Sequence, residues 1–288
     1  MANQWLPEEL IIVDASDDAT TKDLLLEYTV GFAPDCSLLW LRSETVGAAS
    51  QRNEGIRAST RAFLWFFDDD ITFEEECVAR LWRAVQSDPE LGGVSAMIVN
   101  QRYLPPGRVS RAMFTLMHGH SEASFAGKVI GPAINLLPED REDLPEIVAV
   151  EWLNTTCTMY RREALPNPPF DAAFTGYSLM EDLTLSLKVA KRGWTLANVR
   201  TARVFHDSQS GNGSRESADF AEMEIVNRHY VMTEVLSRSR ASDVATLLLW
   251  ELFGLASQLR RLSGWRNLPW RLLGMWRGLR RILSRCGT

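Results

Sequence analysis

The run Ala62-Phe-Leu-Trp-Phe-Phe67 constrains the fold more than any other segment, because all its residues are apolar and the chain passes straight from them into Asp68-Asp-Asp70. A strand apolar on both faces is expected at the centre of a sheet covered on both sides. Around it, short β-rich runs alternate with longer amphipathic segments, the pattern of an α/β protein whose mostly parallel sheet carries flanking helices. Strands are expected at Glu9–Asp14, Ser37–Leu41, Ala62–Phe67 and Gly93–Val99, with helices near Thr21–Val30, Gly47–Ser59 and Phe73–Ser87. In open α/β sheets ligands gather at the carboxyl ends of strands, which is where the aspartates lie.

The middle of the chain changes character. Residues 100–146, with Pro105, Pro106, Gly107, Gly131, Pro132, Pro138 and Pro145, read as a loop-rich excursion with one helix near Val109–His118. Strands follow at Ile147–Leu153 and Thr156–Tyr160. A helix over Ser178–Arg192 then ends at Gly193, a natural C-cap. A strand at Thr195–Arg200 leads to Val204-Phe-His206, Asp207–Ser217 reads as a loop, and helices are expected near Ala218–Leu236, Asp243–Leu262 and Leu268–Leu283. This divides the chain into a sheet domain over residues 1–210 and a helical region over 211–288.

Composition sets the outer limits. With 288 residues, 45% apolar and 24% charged, the chain has the make-up of a globular protein and not of a disordered or collagen-like one. The net charge of −6 hides an asymmetry, since residues 252–288 hold eight arginines and no Lys, Asp or Glu. The four cysteines show no C-x-x-C spacing, so free thiols in a cytoplasmic setting are expected. Met1–Leu10 has no signal-peptide pattern, and the longest apolar stretch, Ala245–Ala256 interrupted by Glu251, is too short to cross a bilayer.

Three aspartates at the end of an apolar strand repel one another unless a positive charge compensates them, and a hard divalent cation is the simplest compensation. In an extended chain Asp68 and Asp70 project to one side and reach a common Mg²⁺ or Mn²⁺, while Asp69 faces away. The other reading is an acidic turn that caps a helix starting near Phe73. Glu181-Asp182 opens a helix, where Asp182 is either a capping acid or a carboxylate that takes a proton from a nearby hydroxyl. A lone histidine such as His206 is either structural or a ligand at its strand end. His118-x-His120 has ligand spacing for a strand but lies in a helix or loop, and reads as surface or acceptor-site polarity.

Taken in order, Val13-Asp14-Ala-Ser16, Gln51-Arg52-Asn53-Glu-Gly55, Phe67-Asp-Asp-Asp70, Thr158-Met-Tyr-Arg-Arg-Glu-Ala164 and Glu181-Asp182 resemble the inverting family 2 glycosyltransferases of GT-A fold, over about residues 9–210. The resemblance implies a nucleotide-sugar donor, a divalent metal (Mg²⁺ or Mn²⁺) and single displacement. Carried over residue by residue, it implies Asp14 at the base of the nucleotide, Arg52 holding the nucleotide, and Asp68 and Asp69 on the donor side. Asp70 is then the direct metal ligand, His206 joins the metal and diphosphate, and Asp182 is the catalytic base. It also implies a first strand and helix ahead of the Val13-Asp14 strand, a segment this sequence does not show.

Trp265, Leu268, Leu272, Trp276, Leu279 and Leu283 recur at helical spacing, with Arg266, Arg277, Arg280, Arg281 and Arg285 on the other side. Trp and Leu opposite Arg is the composition of an interfacial helix on an anionic membrane. The expected function is therefore sugar transfer to a lipid-linked or polysaccharide acceptor, by a cytoplasmic protein peripheral to the inner face of the cell membrane. Nucleic acid is not an expected partner, since no recognised binding fold accompanies the basic tail. Two alternatives stay open: a sugar nucleotidyltransferase, which lacks support because no glycine-rich basic loop is present, and a non-catalytic relative that docks at a membrane or partner.

Overall fold

The computed structural model describes residues 7–28, 36–207, 217–260 and 262–286. The expected loop at Asp207–Ser217 lies almost wholly outside these residues, as does the Val30 end of the first helix. In chain order the elements are β1 (Glu9–Asp14), α1 (Thr20–Tyr28), β2 (Ser37–Arg42), α2 (Ala48–Ala58), β3 (Phe63–Phe67), β4 (Ile71–Phe73), α3 (Cys77–Ser87) and β5 (Leu91–Ile98). Then follow α4 (Arg108–His118), β6 (Val129–Ile130), β7 (Ile134–Asn135), β8 (Ile147–Val150), β9 (Cys157–Arg161), α5 (Glu181–Lys191), β10 (Thr195–His206), α6 (Ala218–Tyr230), α7 (Ala241–Gln258) and α8 (Leu262–Cys286).

These elements form two compact units that interleave in sequence. Residues 1–102 and 140–206 make the first, and residues 103–139 and 207–288 make the second. The single boundary expected at residue 210 would have left residues 103–139 with the sheet.

The first unit is a mixed α/β structure. Its six-stranded sheet has the order β3-β9-β5-β10-β4, with β8 also on β10. β5 and β10 are parallel, and β9 runs antiparallel between β3 and β5, so β3, β5 and β10 share one direction. β1 and β2 form a separate parallel pair. The expectation of a central β3 is corrected: β3 ends the hydrogen-bonded order, and β5, buried at every residue, lies at its middle. β5 was the harder strand to see as central because its residues are small, and they are small for a reason. A Cβ on Gly92 would come within 2.7 Å of Trp194 Cβ, and one on Gly93 within 2.6 Å of the Tyr160 ring.

α3 covers β5 with Cys77, Val78, Leu81, Ala84 and Val85, the spacing of one helical face, against Val94, Ile98, Val199 and Val204 of the sheet. Each buried Val, Leu or Ile among these contributes about 1.5–3 kcal/mol. The helix begins at Cys77 and not at Phe73, because Ile71–Phe73 pairs with β10 as a strand first. β10 itself is one strand of 12 residues, interrupted by a register shift between Val199 and Arg203. Its partner beyond β5 changes along its length, from β8 opposite Leu196–Val199 to β4 opposite Val204–His206. β3 and β4 lie at opposite ends of the strand order yet are joined by residues 68–70 alone, and the Phe67 and Phe73 rings are 6.0 Å apart. The sheet therefore curls sharply, consistent with the irregularity in β10.

In the second unit Phe125, Ile130 and Ile134 form a core with Met117 of α4 and Trp250 of α7. Ser217 caps α6 by accepting from Phe220 N at 3.1 Å, and α6 runs on into a π-helical turn at Val231–Val235. α8 packs on α6 through Gly274 and Gly278, where added Cβ atoms would meet Ala218 O at 2.2 Å and Ile225 Cγ2 at 2.3 Å. The Trp265-to-Leu283 stripe is thus not the packing face. Trp265, Leu272, Trp276 and Leu283 of that stripe are exposed. The arginines are partly compensated within the unit: Arg271 meets Glu224 at 3.3 Å, Arg277 meets Asp219 at 3.1 Å and Arg281 meets Glu222 at 3.2 Å.

This packing predicts that Gly274→Ala lowers unfolding free energy by about 1–3 kcal/mol, because a backbone carbonyl cannot yield to the new methyl. Trp276→Ser, on the opposite face, is expected to stay within about 0.5 kcal/mol. Urea titration of both variants checks the assignment; the reverse ranking would contradict it.

Candidate active site

Strand register brings the acidic turn to a histidine. Asp68 N donates to Thr156 O at 3.0 Å, and residues 69 and 70 then turn the chain into β4. β4 pairs antiparallel with β10 so that Ile71 lies opposite His206. Asp70, one residue earlier, therefore arrives beside that imidazole, with Oδ1 3.0 Å from His206 Nε2. The ligand atoms of Asp68, Asp70 and His206 all lie within 4.8 Å of one another. Asp69 is exposed and outside this cluster. The meeting of Asp68 and Asp70 follows from a turn, and not from an extended chain as the sequence suggested. The capping alternative fails, since α3 starts at Cys77 with Glu76 at its N-cap and no side-chain cap.

His206 is held from behind. Gln101 Nε2 lies 3.1 Å from its Nδ1, while Asn100 donates to His206 O at 2.8 Å and accepts from His206 N at 3.1 Å. Such outer partners set which ring nitrogen faces a ligand. Two carboxylates and one imidazole suit Mn²⁺ or Mg²⁺, with the nitrogen better tolerated by Mn²⁺.

Three consecutive residues of α2 point in different directions around the helix, and each secures a different wall. Gln51 Nε2 donates to Val13 O at 2.8 Å, next to Asp14. Arg52 donates from Nη1 to Glu181 Oε1 at 2.6 Å and from Nη2 to Asp68 Oδ1 at 2.9 Å, with its guanidinium over the Phe170 ring. Asn53 makes paired bonds with the Phe170 backbone, Nδ2 to O at 2.8 Å and Oδ1 from N at 3.0 Å. Asp14, at the end of β1, is buried and accepts from Ser16 N, Ser16 Oγ and Trp40 Nε1. The Ser16 bonds hold its carboxyl below the usual range.

The approach to α5 is strained. Gly176, Ser178 and Met180 all have positive φ, a pattern that persists where surrounding contacts over-determine it. Those contacts include a bridge between Gly176 and Gly47 and a bond from Ala49 N to Ser178 Oγ at 3.3 Å. α5 then opens with Glu181 and Asp182 in its first turn, where the helix dipole favours negative charge. Asp182 Oδ1 accepts from Leu183 N at 2.6 Å. Burial nevertheless pushes Asp182 up to about 6, aided by the Asp68 charge and opposed by the Leu183 N–H and Arg52. Burial also pushes Glu181 up, with the Asp182 charge adding to it and Arg52 opposing.

Among the described residues, Arg52 is therefore the cation placed among Asp68, Glu181 and Asp182. Its pairing with Glu181 was not readable from sequence because 129 positions separate them, and neither Gln101 nor Phe170 carried a signal. Arg52→Ala is expected to cost about 2–3 kcal/mol at neutral pH, since two acids lose a charged partner. The loss should shrink toward pH 4, because carboxyls with raised native pKa destabilise only once they ionise. Equal losses at pH 4 and pH 8 in denaturant titrations would contradict this role.

A comparison with curated protein sequences gave no match. Among solved structures, the chain is similar to GalNAc-T7 with UDP, GalNAc and Mn²⁺, at 16% identity and a TM-score of 0.54 over 79% of this chain and 42% of that one. It is also similar to the mannosyltransferase PcManGT from Pyrobaculum calidifontis in complex with GDP-Man and Mn²⁺, at 16% identity and a TM-score of 0.51 over 92% of this chain and 64% of that one. The chain thus spans less than two thirds of either structure's length, and at these identities the likeness is one of fold, the GT-A glycosyltransferase fold. Residues 1–166 match the sequence model of glycosyl transferase family 2, and the chain, with its acidic turn, histidine and α2 motif assembled at one sheet rim, belongs to that family.

Proposed function

We propose that this protein moves a sugar from a nucleotide-sugar donor to a hydroxyl of a lipid-linked or polysaccharide acceptor, with inversion at the anomeric carbon. The observation that carries the reading is the assembly of Asp68, Asp70 and His206 at the rim where Arg52 ties Asp68 to the turn bearing Asp182. Nucleotides and Mn²⁺ in both similar structures support the donor class and the metal.

In this reading Asp70 and His206 hold a Mn²⁺ or Mg²⁺ ion, with Asp68 alongside, and the cation's contribution is to neutralise the diphosphate leaving group. Arg52 uses two of its five N–H donors on Asp68 and Glu181, which leaves others for a phosphate oxygen. Asp14, a fixed buried acceptor, receives a donor from the nucleotide base, and Asp69 lines the donor side. Asp182 accepts the proton of the acceptor hydroxyl as its oxygen bonds to the anomeric carbon and the bond to the diphosphate breaks. One displacement of this kind inverts that carbon.

The acceptor's location rests on α8. Trp265, Trp270 and Trp276 are each more than half exposed, Arg280 lies 4.7 Å over the Trp276 ring, and Gly274 and Gly278 point the other way, into α6. Among the described residues no helix is long and apolar enough to cross a membrane, so contact would be interfacial. A membrane-held acceptor would then meet the protein at raised local concentration.

Asp182→Asn and Asp70→Ala are each expected to lower transfer from UDP- or GDP-sugars at least about 100-fold, as loss of a catalytic base or an electrostatic stabiliser does. Because the base must be ionised, kcat should rise tenfold per pH unit below about 6 and level off above it. Full activity in either variant, or a rate that falls as pH rises from 5 to 7, would overturn the assignment. Binding to vesicles should require anionic lipid, weaken with salt and drop in Trp265→Ser/Trp276→Ser; equal binding to neutral vesicles would remove the membrane part alone.

A further inference from the structure

Beyond the acidic turn, the second unit holds another cluster of ligating groups. α4 ends at His118, and Gly119 adopts φ 92°, a left-handed cap that reverses the chain and lays His120 against His118 with ring centroids 4.2 Å apart. His118 packs edge-on against the buried Phe125 ring at 5.7 Å. Glu122 is positioned through its backbone, where O accepts from Arg111 Nη2 at 2.7 Å.

One oxygen then carries too many neighbours. Glu122 Oε1 lies 2.7 Å from Lys128 Nζ, 3.0 Å from His120 Nε2 and 3.3 Å from His118 Nε2. A carboxylate oxygen has two lone pairs, so three nitrogens around it exceed its hydrogen-bonding capacity. The imidazole spacings are instead those of neighbouring ligands on a shared ion: bonds of about 2.0–2.1 Å in a tetrahedral shell put ligand atoms about 3.3 Å apart. The three ligand atoms all lie within 4.8 Å of one another, and His120 is the most exposed of the three.

We propose that His118, His120 and Glu122 form a second metal site, selective for a borderline cation such as Zn²⁺, with Lys128 as the competing charge that the ion displaces from Glu122. Two imidazoles and one carboxylate favour Zn²⁺, Co²⁺ or Ni²⁺ over Mg²⁺ or Mn²⁺, in contrast to the carboxylate-rich set at Asp68 and Asp70. The sequence reading of His118-x-His120 as surface or acceptor-site polarity considered ligand spacing on a strand, whereas a helix end with a left-handed glycine brings the two rings together. A bound ion would tie the end of α4 to the segment through Lys128.

The test is calorimetric titration of the full chain with Zn²⁺, with Co²⁺ absorption and melting temperature as second readouts. Asp70→Ala should retain a Zn²⁺ equivalent that His118→Ala/His120→Ala loses, with at least a tenfold drop in affinity for that equivalent. Lys128→Met should bind about tenfold tighter, and Zn²⁺ should raise the melting temperature of the wild type but not of the histidine pair variant. A circular dichroism spectrum matching wild type establishes that the pair variant is folded; should it fail to fold, Lys128→Met decides alone. The proposal is overturned if, in the Asp70→Ala background, Zn²⁺ binding is absent or survives loss of both histidines, or if Lys128→Met binds no tighter than wild type.

Discussion

Repulsion among carboxylates at the rim of the first unit's sheet is the constraint on which the rest depends. Asp68 and Asp70 follow the apolar β3, while Glu181 and Asp182 open α5 under a strained loop. Like charges gathered in a partly buried place raise one another's pKa unless cations intervene. Arg52 answers part of this by bridging Asp68 and Glu181, whereas among the described residues Asp70 meets the His206 imidazole and no Lys or Arg. Among the described residues the site is thus short of positive charge on the side where, in the proposed reading, a divalent ion and a diphosphate would meet. That imbalance is a liability for folding and an asset for binding.

Much of this was legible before the structure. The alternation of β-rich and amphipathic runs led to the α/β class, and the bounds of β1, β2 and α4 agree closely with those read from pattern alone. What escaped was long-range pairing. β4 is three residues wedged between a turn and a helix, too short to show any period, yet its pairing with β10 is what delivers Asp70 to His206. The centrality of β5 was hidden by Gly92, Gly93, Ser95 and Ala96, whose smallness answers the bulk of Trp194 and Tyr160 and not a lack of burial. The Arg52–Glu181 pair joins residues from two motifs that were each read separately.

The second unit shows a related ambiguity in reading helices. The apolar stripe of α8 had the right period to be a packing face, but the glycines between its members allow closer backbone approach, and they are what α6 meets. A helix that packs through its small residues keeps its large ones outside. Several tail arginines, without acids in their own segment, find them on α6, so the charge available to a membrane is smaller than composition implied. The exposed tryptophans carry more of that proposal than the arginines do.

Coupling between cation and donor tests the central claim most directly. Calorimetry of Mn²⁺ binding with and without GDP- and UDP-sugars should show that each tightens the other, that chelation abolishes donor binding, and that Asp70→Ala removes the coupling while leaving the fold intact. Donor binding of unchanged affinity in the presence of chelator, or coupling that survives without Asp70, would contradict the account.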